Sequence, residues 1–409
     1  MPAPSYTRKV TIYLDHAATT PMVPAAIEAM TAELGVVGNP SSLHAAGRRA
    51  RRVVEESREQ IAAALGARPS EVVLTAGGTE SDNLAVKGTY AARVEADPRR
   101  RRILVSAIEH HAVLDSVQWL TEHGGAEAVW LPVDRFGRVD LEALRAEIDK
   151  DPGTVAMVSV MWANNEVGTL QPVADIVAIA HEHGIPVHTD AVQAVGQVPV
   201  SFADCGVDLL TFTGHKLGGP LGVGALLAVR GASLTPLLHG GGQERQVRSG
   251  TLDTPSVRGF AVATDIAVRT APVRSARLSG LRDRLVASVL GQVPGSVLHG
   301  DPAPGGRLPG NASLGFPDCE GDSLMYLLDA QGVECSTGSA CQAGVPQPSH
   351  VLQAMGVPEQ VLHGSLRLTL GHTTTVADVD TALAVLPAAV ARAQGAGVTA
   401  GASSTARAG

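Results

Sequence analysis

The sequence predicts an α/β protein, with a large domain on a mostly parallel central sheet and a smaller α+β domain after it. Two observations carry this. Between residues 71 and 229, seven short apolar runs alternate with amphipathic stretches, the pattern of a sheet covered on both faces. After about Thr254 the alternation stops, and a long helical stretch leads into scattered strand-like runs and a closing helix. At 409 residues, 44% hydrophobic and 18% charged, the chain can bury such a core and is too apolar for disorder.

In chain order, residues 1–20 are expected to form an N-terminal arm packing with the small domain. The large domain is expected over 21–255, the small domain over 256–393, and a disordered tail over 394–409. The tail is assigned because its Ala, Gly, Ser and Thr residues bring few apolar anchors. A helix near Leu43 to Leu65 follows from a stripe of Val53, Val54, Ser57, Ile61 and Leu65. Strands are expected at 71–75, 102–106, 126–133, 155–162, 185–190, 207–213 and 223–229. Helices are expected between them at 80–95, 112–122, 141–148 and 173–182. Beyond residue 254 come a helix over 257–290 interrupted near Pro272, strands SVLHG and NASLGF, and a helix over 322–331. The strand GVEC, a strand at 365–369 and a helix over 377–393 complete the chain.

A net charge of −8 gives no global reason to expect a nucleic-acid or phospholipid surface. The arginines at 99–102 and at 48, 49, 51 and 52 read as a solvated loop and a helix face. No apolar run approaches the ~18 residues that span a bilayer, and the N-terminus lacks a signal-peptide core. The expected compartment is therefore the cytoplasm, where thiols stay reduced. The four cysteines contain no CxxC pair, so no metal site is expected.

Of 32 basic residues four are lysines, and Lys216 closes the strand-like run VDLLTFTGHK directly before Leu217-Gly218-Gly219-Pro220. Arg stays protonated, whereas a desolvated Lys can lose its proton and become a nucleophile or form a Schiff base. Three other segments agree with that reading. TAGGTESDN puts Gly77, Gly78 and Thr79 at a strand-to-helix turn that suits a phosphate, although it is also an ordinary capped turn. EHHAVLD starts a helix with two histidines, which capping alone would explain. HTDAVQ leaves Asp190 at the mouth of an apolar strand, where a carboxylate needs a cationic partner such as a protonated pyridine nitrogen. In open α/β sheets the carboxyl ends of strands share one crevice. A lysine, an acid for a ring nitrogen, a stacking residue and a phosphate cradle together describe a site for pyridoxal 5'-phosphate (PLP).

The chain also resembles a known family, through YLDHAATTP (13–21), GNPSS (38–42), GGTESDN, EHHAVLD, NNEVG (164–168), HTDAVQ, TGHK, RSGT (248–251), STGSAC (336–341) and PSHVLQAMG (348–356). It is similar to the class V aminotransferase-type PLP enzymes of fold type I, and within them to the cysteine desulfurases of the NifS/IscS type. The resemblance implies Lys216 as the Schiff-base residue, Asp190 on the pyridine nitrogen and His110 stacked on the ring and moving protons. It implies Gln193 and Asn165 near the phenolic oxygen, with Gly78, Thr79, Thr213 and His215 holding the phosphate. Thr251 would reach the phosphate of a partner subunit, which implies a homodimer. Arg367, with Asn165, would bind the carboxylate of L-cysteine as a fork.

Cys341 narrows the reaction. It lies in STGSACQAGVPQPS, a segment with no helical or strand period, so a loop over 336–349 is expected. At ~3.3–3.6 Å per residue, half of a dozen-residue loop reaches on the order of 20 Å. Cys205 and Cys335 adjoin apolar strands and read as packing residues, and the acids flanking Cys319 disfavour its thiolate. The resemblance implies that Cys341 attacks the sulfur of cysteine, yields alanine, and hands the sulfur from its persulfide to acceptor proteins of iron–sulfur assembly or tRNA thiolation. An aminotransferase or selenocysteine lyase would share Lys216 and Asp190 but not need Cys341, and a non-catalytic sulfur-relay scaffold would need neither.

Overall fold

The computed structural model describes residues 11–337 and 348–405, with side chains through Gly395. Cys341 and most of the loop expected over 336–349 lie outside the described residues. The strands in chain order are β1 (Ile12–Tyr13), β2 (Val72–Thr75), β3 (Arg102–Ser106), β4 (Glu127–Leu131), β5 (Val155–Ser159) and β6 (Val187–Asp190). They continue as β7 (Leu209–Thr213), β8 (Gly224–Ala228), β9 (Val297–Leu298), β10 (Asn311–Gly315), β11 (Val333–Glu334) and β12 (Ser365–Thr369).

All seven strands expected in the first part of the chain join one sheet, in the order β2-β8-β7-β6-β5-β3-β4. β4, β3, β5, β6 and β7 run parallel, and β8 is antiparallel to both β7 and β2. The antiparallel step follows from the short connection between Thr213 and Gly224, which holds no crossover helix. Alternation along the strands splits the core into two layers. Leu104, Leu210 and Phe212 face a cluster that includes Val54, Ile61 and Phe260, with the Phe212 and Phe260 rings 5.1 Å apart. Ile103 and Val105 face the helix His111–His123 through Val113, Val117 and Leu120. β4 and β5 lie on opposite sides of β3, so the chain reverses its direction of winding there. The crevice this opens at the carboxyl ends of the strands is where an open α/β sheet binds its ligand.

The small domain packs the antiparallel sheet β12-β10-β9 and the parallel pair β1-β11 around a second core. From the N-terminal segment, Ile12 and Leu14 are buried in that core, and Ile12 pairs with Val333.

The structure corrects the sequence reading in four places. The expected domain border at 255/256 coincides with the start of one continuous helix, Thr254–Gln292. Its first half buries Val257, Phe260 and Ala267 in the large core and its second half buries Leu278, Leu285 and Val289 in the small one. Pro272 sits inside that helix without ending it. Proline removes one helical hydrogen bond, and Arg274 Nη2 donates to the nearby Ala267 carbonyl at 3.1 Å. The single helix expected over 80–95 is Gly78–Asn83, a π turn Leu84–Gly88 and Thr89–Ala96. A β-carbon at Gly88 would lie 2.9 Å from Thr235 O, so close packing accompanies the wider turn. Finally, the last helix runs Val376–Thr405, past the Ala393 at which the ordered chain was expected to stop. Alanine's high helix propensity favours the extension even where apolar anchors are few.

Candidate active site

Strand ends and the turns after them build a cavity of about 440 Å³ whose wall includes Lys216, Asp190, His110, Gly78, Thr79, Asn165, Gln193, Thr213, His215 and Arg367. Ten sequence-predicted residues thus meet in one place. Two do not join them: Thr251 is exposed and lies away from the cavity wall, and Cys341 is outside the described residues.

Lys216 ends the tight turn Gly214–Lys216 after β7. Its Nζ donates to the carbonyls of Ala17 (2.5 Å) and Ala18 (2.7 Å), so the arm residues of YLDHAATTP aim the amine. Burial, with help from the Arg367 charge, pulls its pKa from 10.5 down to about 8. Asp190 closes β6, and its Oδ1 accepts from Val192 N at 2.8 Å. Burial pushes it up to about 6 against the opposing pull of that backbone bond and of Lys216.

His110 caps the helix His111–His123 by accepting from Ala112 N on Nδ1 at 3.1 Å, and it also lines the cavity. Capping and site readings therefore both hold. An accepting Nδ1 leaves the proton of the neutral ring on Nε2, and burial, then Lys216, keeps the ring neutral with a pKa near 4. Gln193 donates to Ala17 O at 3.0 Å. In NNEVG, Asn164 holds the turn by accepting from Glu166 N and Val167 N at 2.9 Å each, while Asn165 borders the cavity.

Gly78 and Thr79, two of the residues expected to hold a phosphate, follow a turn only glycine favours. Gly77 has φ +146°, and a β-carbon on Gly78 would lie 3.1 Å from Val192 Cγ2. Thr213 Oγ1 donates to Val223 O at 3.1 Å, and His215 Nδ1 lies 3.3 Å from Thr19 Oγ1.

Arg367, in β12, is 5% exposed. Nη1 donates to Asn165 O at 3.0 Å and Nη2 to Asp15 Oδ1 at 2.9 Å, while Nε has no hydrogen-bond partner among the described residues. The sequence reading missed Asp15, whose carboxylate occupies part of the fork. It also missed three buried acids. Asp82 and Glu109 each keep one carboxyl oxygen without a hydrogen-bond partner among the described residues, Asp82 Oδ1 lying 3.6 Å from His188 Nε2, and burial raises both well above the carboxylate range. Glu166 lines the cavity, accepts from Ser349 Oγ, and is pushed up to about 7 by burial. All three lie inside motifs quoted above, so a buried carboxyl beside an apolar run was the available signal.

Burial disfavours the thiolate at each of the described cysteines. Burial raises Cys205, lifts Cys335 to about 12, and lifts Cys319 to about 11. At Cys319 burial outranks the flanking acids, Asp318 and Glu320, on which the sequence reading relied.

The fold and the cavity define a lysine-centred transferase site at the carboxyl ends of a mixed sheet. The class-V aminotransferase profile matches residues 12–382. The IscS-like cysteine desulfurase of Mycobacterium tuberculosis is 60% identical over 388 residues, covering 95% of this chain and 98% of that protein. The cysteine desulfurase IscS of Methanosarcina thermophila is 44% identical, covering 93% of this chain and 92% of its own length. Among solved structures, a NifS-like protein superposes with a TM-score of 0.85 at 36% identity, covering 93% of this chain and 99% of that one. The chain belongs to the class-V aminotransferase family and, within it, to the NifS/IscS-type cysteine desulfurases. No helix among the described residues is long and apolar enough to cross a membrane.

Proposed function

We propose that the protein removes sulfur from L-cysteine with PLP as cofactor, releasing L-alanine and leaving the sulfur on Cys341. The observation that carries this reading is the meeting of Lys216, Asp190, His110, the Gly78-Thr79 turn and Arg367 on one cavity.

The residues fit the cofactor. Asp190 is a buried carboxyl that a cationic ring nitrogen would satisfy, Lys216 is a partly buried amine of lowered basicity, and the turn at Gly77 leaves room for a phosphate. When bound, PLP supplies an electron sink for the carbon undergoing bond cleavage. Lys216, whose basicity burial lowers before any cofactor is bound, would carry protons to and from that carbon. His110, neutral with its proton on Nε2, would stack on the ring and share proton movement. Gln193 and Asn165 would lie near the phenolic oxygen, and Gly78, Thr79, Thr213 and His215 would hold the phosphate. Arg367 takes the substrate carboxylate through the part of its fork that Asp15 and Asn165 leave over.

The Cys341 thiolate then forms a sulfur–sulfur bond as the substrate's carbon–sulfur bond breaks. The electron pair stays with the carbon fragment, which takes up a proton and leaves as alanine. The persulfide passes to sulfur-acceptor proteins of iron–sulfur assembly or thiolation. The working unit we infer is a homodimer in the cytoplasm, with Thr251 completing the partner's phosphate site. Exposed apolar residues support the dimer: Leu34 at the end of the helix Pro24–Leu34, Val37 after it, Leu43 and Leu221, the last two 82% and 71% exposed.

The cofactor-loaded protein with L-cysteine and a reductant is expected to give alanine and sulfide in equal amounts, and Cys341→Ala to abolish sulfide release. Full turnover in that variant would refute the persulfide step, and keto-acid-dependent amino transfer would point to an aminotransferase.

A further inference from the structure

Residues on either side of the Cys341 segment meet the cavity through one continuous set of contacts. On the near side Arg367 N donates to Ser336 O at 2.7 Å, and Ser336 N donates to Arg367 O at 3.2 Å. The Arg367 guanidinium reaches across to Asn165 O at 3.0 Å. The next residue, Glu166, accepts from Ser349 Oγ at 2.5 Å on the far side of the segment. Ser349 Oγ also accepts from Leu352 N at 3.2 Å and caps the helix His350–Ala354. Positions 336 and 349 are thereby fastened to a single clasp, Arg367-Asn165-Glu166, of which Arg367 and Asn165 form the proposed carboxylate site.

Glu166 has no part in the chemistry above. Its carboxyl is 5% exposed, and Ser349 supplies its side-chain hydrogen bond. Burying a carboxyl is a costly way to fill space, so its contact with Ser349 calls for a reason beyond packing. We propose that Glu166 is a positioning residue for sulfur transfer: through Ser349 it fixes the C-terminal attachment of the Cys341 segment to the clasp that holds the substrate carboxylate. The proposal rests on Cys341 being the sulfur acceptor. Val351, Leu352 and Met355 are packed in a buried cluster and His350 Nε2 donates to the Glu109 carbonyl at 3.0 Å, so the Glu166–Ser349 bond refines the placement of an end that is already anchored, and with it the thiol's effective concentration at the substrate sulfur. Misplacement by about 1 Å is enough to cost about 100-fold in rate.

The test uses cofactor-loaded full-length enzyme with Glu166→Ala, Glu166→Gln, Ser349→Ala and the Glu166→Ala/Ser349→Ala pair. Two quantities are read: affinity for L-cysteine, from the change in cofactor absorbance, and the single-turnover rate of persulfide formation on Cys341, by mass. Glu166→Ala and Ser349→Ala are each expected to slow persulfide formation by about 10- to 100-fold, and Ser349→Ala, whose side chain does not line the cavity, to do so with cysteine affinity unchanged. The pair should be no slower than either alone, because the two act through one bond. Glu166→Gln, whose amide oxygen still accepts from Ser349, should recover most of the rate, which mere filling of space would not predict. Ser349→Ala removes one oxygen, so it carries the test even where Glu166→Ala folds poorly. A wild-type rate in Ser349→Ala, failure of Gln to rescue, or an effect confined to cysteine affinity would overturn the proposal. Absence of persulfide on Cys341 in the unsubstituted enzyme would overturn the sulfur-acceptor reading itself, and the clasp with it.

Discussion

The cavity has a floor and a wall built on different terms. The floor comes from the sheet: Asp190 closes β6, Lys216 follows β7, Gly78 follows β2 and His110 follows β3. Parallel strands that end together deliver these residues to one level, and Asp190 and His110 are tied to backbone groups close by in sequence, Val192 N and Ala112 N. The wall is assembled from segments far apart in sequence. Arg367 depends on Asp15, 352 positions away, and on Asn165, 202 positions away, while Glu166 depends on Ser349, 183 positions away. On the proposed function, the floor would hold the cofactor, and the wall would recognise a carboxylate and fasten the residues on either side of the Cys341 segment. Lys216 joins the two, because its amine is aimed by carbonyls of the same N-terminal arm that supplies Asp15.

That division is open to attack first at Lys216. Lys216→Ala is expected to remove the lysine–cofactor absorbance band and all turnover, and Lys216→Arg to rescue neither, since Arg does not give up its proton. A retained band would mean that the floor holds the cofactor by some other group. His110→Ala should come next, lowering kcat by about 10²–10⁴-fold while cofactor remains bound, as steady-state kinetics and absorbance together would reveal.

A wall substitution should behave differently. Arg367→Lys keeps the charge but loses the fork, so KM for L-cysteine should rise by about 10- to 100-fold, from a charged hydrogen bond worth about 1.5–3 kcal/mol. The cofactor band should be unchanged; its loss would erase the distinction between floor and wall.

The smallest effect is a shift in pH. Lys216 must be neutral to capture cofactor, so loading of the cofactor-free protein should speed up as pH rises through about 8, well below the ordinary lysine value of 10.5. The Arg367 charge helps hold that value down, so Arg367→Gln should move the loading profile to higher pH. An unmoved profile would make burial alone responsible.

Much of the floor was legible because short-range physics places it. A glycine pair before a helix, a carboxylate at a strand end and a lone lysine after a strand are each local patterns, and strand periodicity found all seven members of the large sheet. The wall was legible only in part. Arg367 was singled out through a family resemblance, while Asp15, Glu166, Asp82 and Glu109 passed as ordinary members of quoted motifs. Burial distinguishes them, and burial depends on what packs against a residue from elsewhere in the chain. The continuous helix Thr254–Gln292 makes the same point, since its unity through Pro272 comes with two cores that grip its two halves.

The sequence by itself determined the alternation of strands and helices, the lysine with its acid and glycine turn, and a cysteine set in a segment without periodicity. These depend on side-chain chemistry and on neighbours a few positions apart. Tertiary structure alone decided which side of β3 the chain resumes on, that carbonyls of Ala17 and Ala18 hold the Lys216 amine, and that Glu166 meets Ser349. Those outcomes belong to groups brought together across hundreds of residues by burial of two cores, and no local pattern encodes such a meeting.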